Sequence, residues 1–354
     1  MKLPVTGHRT SEHDLPNSNQ GTPPGVCAMS PADGPGPADP AEYDGRSIPA
    51  HAREETWRAR DGHAIRRIDW PQSGPARGAL LFAPGRADFY EKHLPVLHGW
   101  HAAGWHVTSI DWRGQALSGR LGADATTGHA DDFAPWIADF EAFWNDWRAS
   151  VPGPHVAVGH SMGGHLVLRA LAEQRVRPQA AVLVAPMLGL NPGWAPSALL
   201  HPLGRVIAGM RGTRTPAWKW QRGPLPLSNM RMQILTHDEV RFQDEDWWYE
   251  QRPELPLGPP SWGWIVAALA SIRSLEKAGQ LERVDLPVLL LGSTADRLVS
   301  WRAIRRAAAR LPRVELVTFG EEARHEILRE SLPVRVRALN AIAEFLDRTA
   351  PVQP

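Results

Sequence analysis

Val156-Ala157-Val158-Gly159-His160-Ser161-Met162-Gly163-Gly164-His165-Leu166-Val167-Leu168 is the stretch that decides the fold. A short apolar run ends in a turn of small residues, and a helical pattern carrying Leu166, Val167, Leu168 and Leu171 begins at once. Ser161 stands at the corner, inside a G-x-S-x-G frame. A strand before and a helix after form the context in which such a frame projects a serine hydroxyl from a strained turn. Small residues are needed there, because a Cβ at Gly159 or Gly163 would crowd the turn. The helix N-terminus behind the serine favours negative charge developing on a bound oxygen. The plain alternative is a glycine-rich turn with a bystander serine, and the flanking strand and helix argue against it.

Outward from this stretch the same unit repeats. Apolar runs at Ala79–Ala83, His106–Ile110, His155–Val158, Ala180–Val184, Val288–Leu291 and Val314–Thr318 alternate with helical patterns over 90–103, 131–149, 162–174, 262–278, 301–311 and 333–348. The last helix follows Pro333, a favoured first-turn residue, and sets Val336, Leu339, Ile342, Phe345 and Leu346 on one face. Two stretches, Thr56–Arg60 and Ala64–Trp70, flank Asp61-Gly62 and read as an antiparallel hairpin. Short runs buried on both faces between helices predict an α/β fold with a mostly parallel central sheet.

The rhythm breaks over 186–260. A connection that long without strand–helix alternation has a function or a structure of its own. It holds Trp194, Trp218, Trp220, Trp247 and Trp248, with Trp262 and Trp264 just beyond, and Leu199, Leu200, Leu203, Val206, Ile207 and Met210 at helical spacing. The interval reads as an inserted helical cap, leaving 46–185 and 261–350 as the core. Residues 1–45 are crowded with Pro and Gly and are expected to form a disordered tail. They lack the apolar run of roughly 7–15 residues that a signal peptide needs.

Chain order after a serine elbow calls for an acid and then a base in loops behind later strands. Asp296 follows the run ending at Leu291, and His325 follows the run ending at Thr318. His325 would take the Ser161 proton and return it to the leaving group, with Asp296 orienting the imidazole. Each alone has an ordinary reading, a turn aspartate and a solvated loop histidine. An oxyanion needs two aimed backbone N–H donors. Met162, next to the nucleophile, is one candidate. Arg86, after Gly85 in the loop behind Ala79–Ala83, is the other.

Composition excludes several classes. The chain has 354 residues, 43% hydrophobic and 22% charged, enough for a sizeable core. Lys+Arg is 39 against 38 Asp+Glu, a net charge of +1, which gives no footprint for nucleic acid. Cys27 is the single cysteine, so no intramolecular disulfide forms, and a cytoplasmic setting is expected. His93, His98, His101 and His106 form no convincing metal-ligand pattern, and no metal or cofactor is expected. His160 and His165 are expected to pack around the elbow, and Asp111-Trp112-Arg113-Gly114-Gln115 to form a structural turn with an Asp/Arg pair.

The chain resembles the α/β-hydrolase superfamily, in the branch of monoacylglycerol lipases and bacterial lysophospholipases. Pro84-Gly85-Arg86, the segment Asp111–Arg120, the elbow Gly159–Gly164, Leu235-Thr236-His237-Asp238, Asp296 and His325 carry the resemblance. It implies a triad at Ser161, Asp296 and His325 and cofactor-free hydrolysis of single-chain acyl esters beneath a cap. Two departures bear on substrate. Ala116 stands where the family usually has glycine, and Pro84 replaces the histidine common in the monoacylglycerol lipases, which points to the lysophospholipase side. A short-chain carboxylesterase or peptidase uses the same apparatus, and a non-catalytic ligand-binding receptor can use the same fold. The tryptophans would line an apolar acyl tunnel or simply pack the cap. The 199–210 stretch is expected to cover the site; weak peripheral membrane contact through the cap, with Arg205 and Arg211 near headgroups, is its alternative.

Overall fold

The apolar runs pair with one another. In the computed structural model, which describes residues 43–191, 197–219 and 226–351, eight strands form one sheet. They are β1 (Arg53–Arg58), β2 (Ala64–Trp70), β3 (Gly78–Ala83), β4 (Trp105–Ile110), β5 (His155–His160), β6 (Ala180–Val184), β7 (Val288–Ser293) and β8 (Val314–Phe319). The order is β1-β2-β4-β3-β5-β6-β7-β8. β1 and β2 run antiparallel, as do β2 and β4; every other neighbouring pair is parallel. β3, β6 and β7 are buried at every position, as a sheet covered by helices on both faces requires. The outer strand β1 carries Arg53, Glu54, Glu55 and Arg58 and is largely exposed, charges that discourage edge pairing with another chain.

The helices are α1 (Leu94–Ala102), α2 (Ala134–Ser150), α3 (Met162–Ala172), α4 (Ser197–Arg211), α5 (Pro226–Leu235), α6 (Glu239–Gln251), α7 (Trp262–Glu276), α8 (Trp301–Ala308) and α9 (Leu332–Thr349). Expected boundaries shift for local reasons. Tyr90–His93 winds as a tight 3-10 turn before α1, because Pro95 has no N–H to continue an α-helical ladder back to Glu91. β1 ends at Arg58, since Ala59–His63 closes the Asp61-Gly62 turn with hydrogen bonds from Ala59 N to His63 O and from Gly62 N to Ala59 O. The buried face of α9 begins at Val334 rather than Val336.

Strand order positions the chemistry. The chain steps from β3 outward to β4, then returns to place β5 on the other side of β3. A crevice opens where such an order reverses, at the carboxyl ends of the strands. Ala83 pairs with Gly159, so the loops after β3 and β5 leave the sheet side by side. β6, β7 and β8 follow in sequence and deliver the loops after β7 and β8 to the same edge.

Between β6 and α7, the described residues hold α4, α5 and α6 and no strand of the sheet. α4 packs along α7, where a Cβ on Gly204 would lie 3.5 Å from Val266. Residues 43–46 bridge α1 and α6. Tyr43 stacks on His98 at 4.3 Å, Trp248 Nε1 donates to Gly45 O at 2.8 Å, and Arg46 Nε to Asp244 Oδ1 at 2.8 Å. Residues 1–42 of the expected tail lie outside the described residues.

Candidate active site

Ser161 occupies the turn between β5 and α3 with φ 51° and ψ −116°. A positive φ at a residue with a Cβ is a strained conformation of order 1–3 kcal/mol that the surroundings must enforce. Here they do. Ser161 N donates to Val184 O at 2.9 Å, and Ser161 O accepts from His165 N and Met187 N, each at 3.0 Å. The glycines are dictated by space: a Cβ on Gly163 would overlap the carbonyl oxygens of Ala83 and Pro84, and one on Gly159 would lie 2.7 Å from Gly164.

The loops after β7 and β8 bring Asp296 and His325 to this serine. His325 Nε2 lies 2.9 Å from Ser161 Oγ, and His325 Nδ1 lies 2.7 Å from Asp296 Oδ2. The carboxylate accepts, so Nδ1 carries the proton and Nε2 is free to accept from the serine hydroxyl. Asp296 Oδ1 is fixed by the N–H groups of Leu298 at 2.7 Å and Val299 at 3.0 Å. Ser293, at the end of β7, ties the two loops: its Oγ donates to Ala323 O at 2.5 Å and accepts from Ala295 N at 3.0 Å. All three side chains are buried. Burial opposes charge on His325, yet Asp296, with Glu326 and Asp88 adding to it, raises the imidazole above its ordinary value. Burial likewise opposes charge on Asp296, and His325 together with the two backbone donors holds its carboxyl below the usual range.

The loop after β3 closes against the elbow; a Cβ on Gly85 would sit 3.1 Å from Ser161 Cβ. Three side chains fix the loop's shape. Trp112 Nε1 donates to Pro84 O at 2.7 Å, Gly85 N donates to Asp88 Oδ2 at 3.0 Å, and Ala87 N donates to Gln115 Oε1 at 2.6 Å. Arg86 N and Met162 N, the two expected oxyanion donors, have no acceptor among the described residues.

Sequence reasoning missed the polar structure behind this loop. Lys92 Nζ is buried among carboxylates from three segments, with Asp88 Oδ1 and Glu326 Oε1 each at 2.7 Å and Glu245 Oε2 at 3.2 Å. Arg329 pairs with Glu326, and Arg231 with Glu245. Burial opposes charge on Asp88, but the ammonium and the hydrogen-bonded histidines hold its carboxyl well below the usual range. Nothing in the segment around Gln115 signals that its side chain holds the loop after β3 through Ala87 N. The one available signal was position: Glu326 adjoins His325, and Asp88 and Lys92 follow the Gly85-Arg86 loop.

The remaining expected residues fall as follows. His160 Nδ1 meets Asp88 Oδ2 at 3.0 Å, and His165 Nε2 meets Ser271 Oγ at 2.6 Å, so both pack around the elbow. Arg113 pairs with Asp139 at 2.6 Å and with Asp61 at 2.7 Å, while Asp111 pairs with Arg66 at 2.6 Å. Asp88, His93 and His160 form a trio of metal-ligand type among the described residues. Asp88 already engages Lys92, Gly85 N and His160, so a cation would have to displace the ammonium. The apolar stripe of α4 faces outward. Leu199, Leu203, Val206 and Met210 are 55–74% exposed, because the opposite face, with Gly204 and Ala208, is the one packed inward. Trp218 is exposed and Trp248 packs beneath residue 45, whereas Trp264 adjoins the Arg86 side chain. Trp194 and Trp220 lie outside the described residues.

Residues 74–332 match the hydrolase family described as serine aminopeptidase, S33. The chain is 30% identical over 287 residues to lysophospholipase L2 of Escherichia coli, covering 76% of this chain and 80% of that protein. It is 26% identical over 171 residues to a monoacylglycerol lipase of Mycolicibacterium smegmatis, covering 48% of this chain and 59% of that protein. A soluble variant of the Saccharomyces cerevisiae monoglyceride lipase, solved with a substrate analogue, shares the fold. Its TM-score is 0.68 at 18% identity, over 87% of this chain and 98% of that one.

Proposed function

The chain belongs to the S33 serine aminopeptidase-type hydrolase family, and on that premise we propose that it cleaves single-chain acyl esters through an acyl-enzyme on Ser161. That it is an ester hydrolase of the lysophospholipase and monoacylglycerol lipase branch rests on its relatives. The mechanism rests above all on one observation, the unbroken hydrogen-bonded chain from Ser161 Oγ through His325 to Asp296.

Ser161 Oγ attacks the ester carbonyl as its proton passes to His325 Nε2. The oxyanion accepts hydrogen bonds from Arg86 N–H and Met162 N–H, and the C–O bond to the alcohol breaks as His325 returns the proton to it. Water, deprotonated by the same imidazole, then releases the fatty acid and restores the serine. Asp296 stays ionised and stabilises the imidazolium.

The substrate class is a lysophospholipid or monoacylglycerol, with short esters or peptides as the alternative and ligand binding without turnover as the reading from another class. A comparison of kcat/KM for a lysophosphatidylcholine and a monoacylglycerol of equal acyl length, with Ser161→Ala as blank, tests it. Turnover of either, absent in the variant, is the expected result. Turnover retained in Ser161→Ala rejects the mechanism, and stoichiometric binding without turnover of either ester favours the receptor.

Residues 186–260 act as the cap in this reading, and α4 contacts the membrane that holds the substrate. Its outward stripe of Leu199, Leu203, Val206 and Met210 is flanked by Arg205 and Arg211, and residues 197–219 contain no acidic side chain. No helix among the described residues is long and apolar enough to cross a membrane. Flotation with anionic vesicles should carry the protein upward, and failure to float rejects the contact. A cytoplasmic setting is proposed on the single cysteine, Cys27.

A further inference from the structure

Most arginines around the site are already neutralised. Arg113 is shared between Asp139 and Asp61, Arg66 between Glu91 and Asp111, and Arg329 between Glu326 and Glu245. Arg86 differs. Its Nη2 donates to a neutral acceptor, Gly258 O, at 2.6 Å, and its guanidinium carbon lies 5.2 Å from the Trp264 ring centre. Its Nε is buried without a partner, and no carboxylate pairs with it among the described residues. Burial lowers its pKa to about 9, with no neighbouring charge acting to restore it.

A secluded cation with no counter-ion is costly, and an anionic ligand removes that cost. The position of Arg86 says which anion. Its backbone belongs to the loop packed on Ser161, so the side chain is rooted beside the reacting ester and reaches toward Gly258 and Trp264. In a lysophospholipid the phosphate lies a glycerol backbone away from the scissile ester, a span matched by one arginine side chain. The planar guanidinium has N–H donors left over after Gly258, in a fork suited to two phosphate oxygens.

We propose that Arg86 is a specificity-determining residue whose guanidinium binds the phosphodiester of a lysophospholipid headgroup while the acyl carbonyl lies at Ser161. This rests on the ester-hydrolase reading above and assigns the headgroup side of that same site. With a neutral monoacylglycerol bound, the cation keeps only Gly258 O and Trp264. Arg86 thus acts twice, through its backbone N–H in the reaction and through its side chain in substrate choice.

The test is the ratio of kcat/KM for lysophosphatidylcholine to that for a monoacylglycerol of equal acyl length. Arg86→Gln, which removes the charge and the fork but keeps a polar stem, is expected to slow both, because the loop and the Gly258 O contact are shared, and to lower the ratio about tenfold or more. Arg86→Lys, which keeps the charge, should retain more of the ratio. Equal losses for both substrates would overturn the assignment while leaving the esterase reading intact; a wild-type enzyme inert toward both would instead sink that reading. A wild-type measurement needs no variant to fold. Glycerophosphocholine should inhibit monoacylglycerol turnover competitively and more tightly than inorganic phosphate. No inhibition, or equal inhibition by inorganic phosphate, would contradict a headgroup reader, the second result pointing to a site for a free anion.

Discussion

Two buried polar assemblies meet at the carboxyl edge of the sheet, and they are built on opposite rules. The triad joins a hydroxyl, an imidazole and one carboxylate in a line, with a lone pair of His325 left facing Ser161. The assembly around Lys92 sets Asp88, Glu245 and Glu326 against Lys92, Arg329 and the half-exposed Arg231, three carboxylates against three cations. The first is arranged so that a proton can move. In the second every charge is matched, and moving a proton would leave an uncompensated ion in a medium that solvates it poorly. In the proposed mechanism the first assembly performs the chemistry, while the second fastens the loop after β3, the His325 loop and α6 together.

The largest effect that separates the two belongs to Asp296→Asn. Loss of the carboxylate should cost about 10⁴-fold in kcat. It should also move the acid limb of kcat/KM to lower pH. Catalysis needs neutral His325, and in the native protein Asp296 raises that histidine above its ordinary value, so the limb begins high and falls when the carboxylate goes. A pH–rate series on both proteins checks the shift, and an unmoved limb would mean that Asp296 does not govern His325.

Lys92→Met should reverse the balance, losing stability more than rate. Removal of one member of a buried charge set costs about 3–5 kcal/mol, read by denaturant unfolding. Lys92→Met combined with Glu245→Gln deletes one cation and one anion and should recover much of that loss. If the pair is as unstable as the single variant, charge matching is not what the assembly contributes.

Gln115→Leu should give the smallest effect. It strips the acceptor from Ala87 N–H and loosens the oxyanion loop, lowering kcat about tenfold with KM little changed, the worth of one hydrogen bond. Steady-state kinetics on a soluble ester resolves it. A change confined to KM would place Gln115 in substrate binding instead.

The same comparison explains what the sequence could reveal. β3, β5, β6 and β7 were legible as apolar runs because a sheet covered on both faces needs continuous hydrophobicity. Ser161, Asp296 and His325 were legible because each follows a strand end, where the fold delivers loops to one edge. The Lys92 assembly was not, since its partners run from residue 88 to residue 329 and no local spacing relates them. The direction in which the stripe of α4 faces is not legible for a related reason: periodicity reveals a stripe, but not which side meets the protein. Small residues mark the inward side, Gly204 against Val266 and Leu269 of α7 and Ala208 buried. Pro95, visible in the sequence, marked the break between the 3-10 turn and α1 that a continuous helix over 90–103 overlooked.

The most direct test of the central claim is covalent. A fluorophosphonate ester needs an activated serine, and its reaction with the full-length protein is read by intact mass and then by peptide mapping. The account predicts one adduct per chain, located on Ser161, formed in step with loss of esterase activity and abolished by His325→Ala. An adduct on another serine, or full activity after Ser161 is modified, would contradict it.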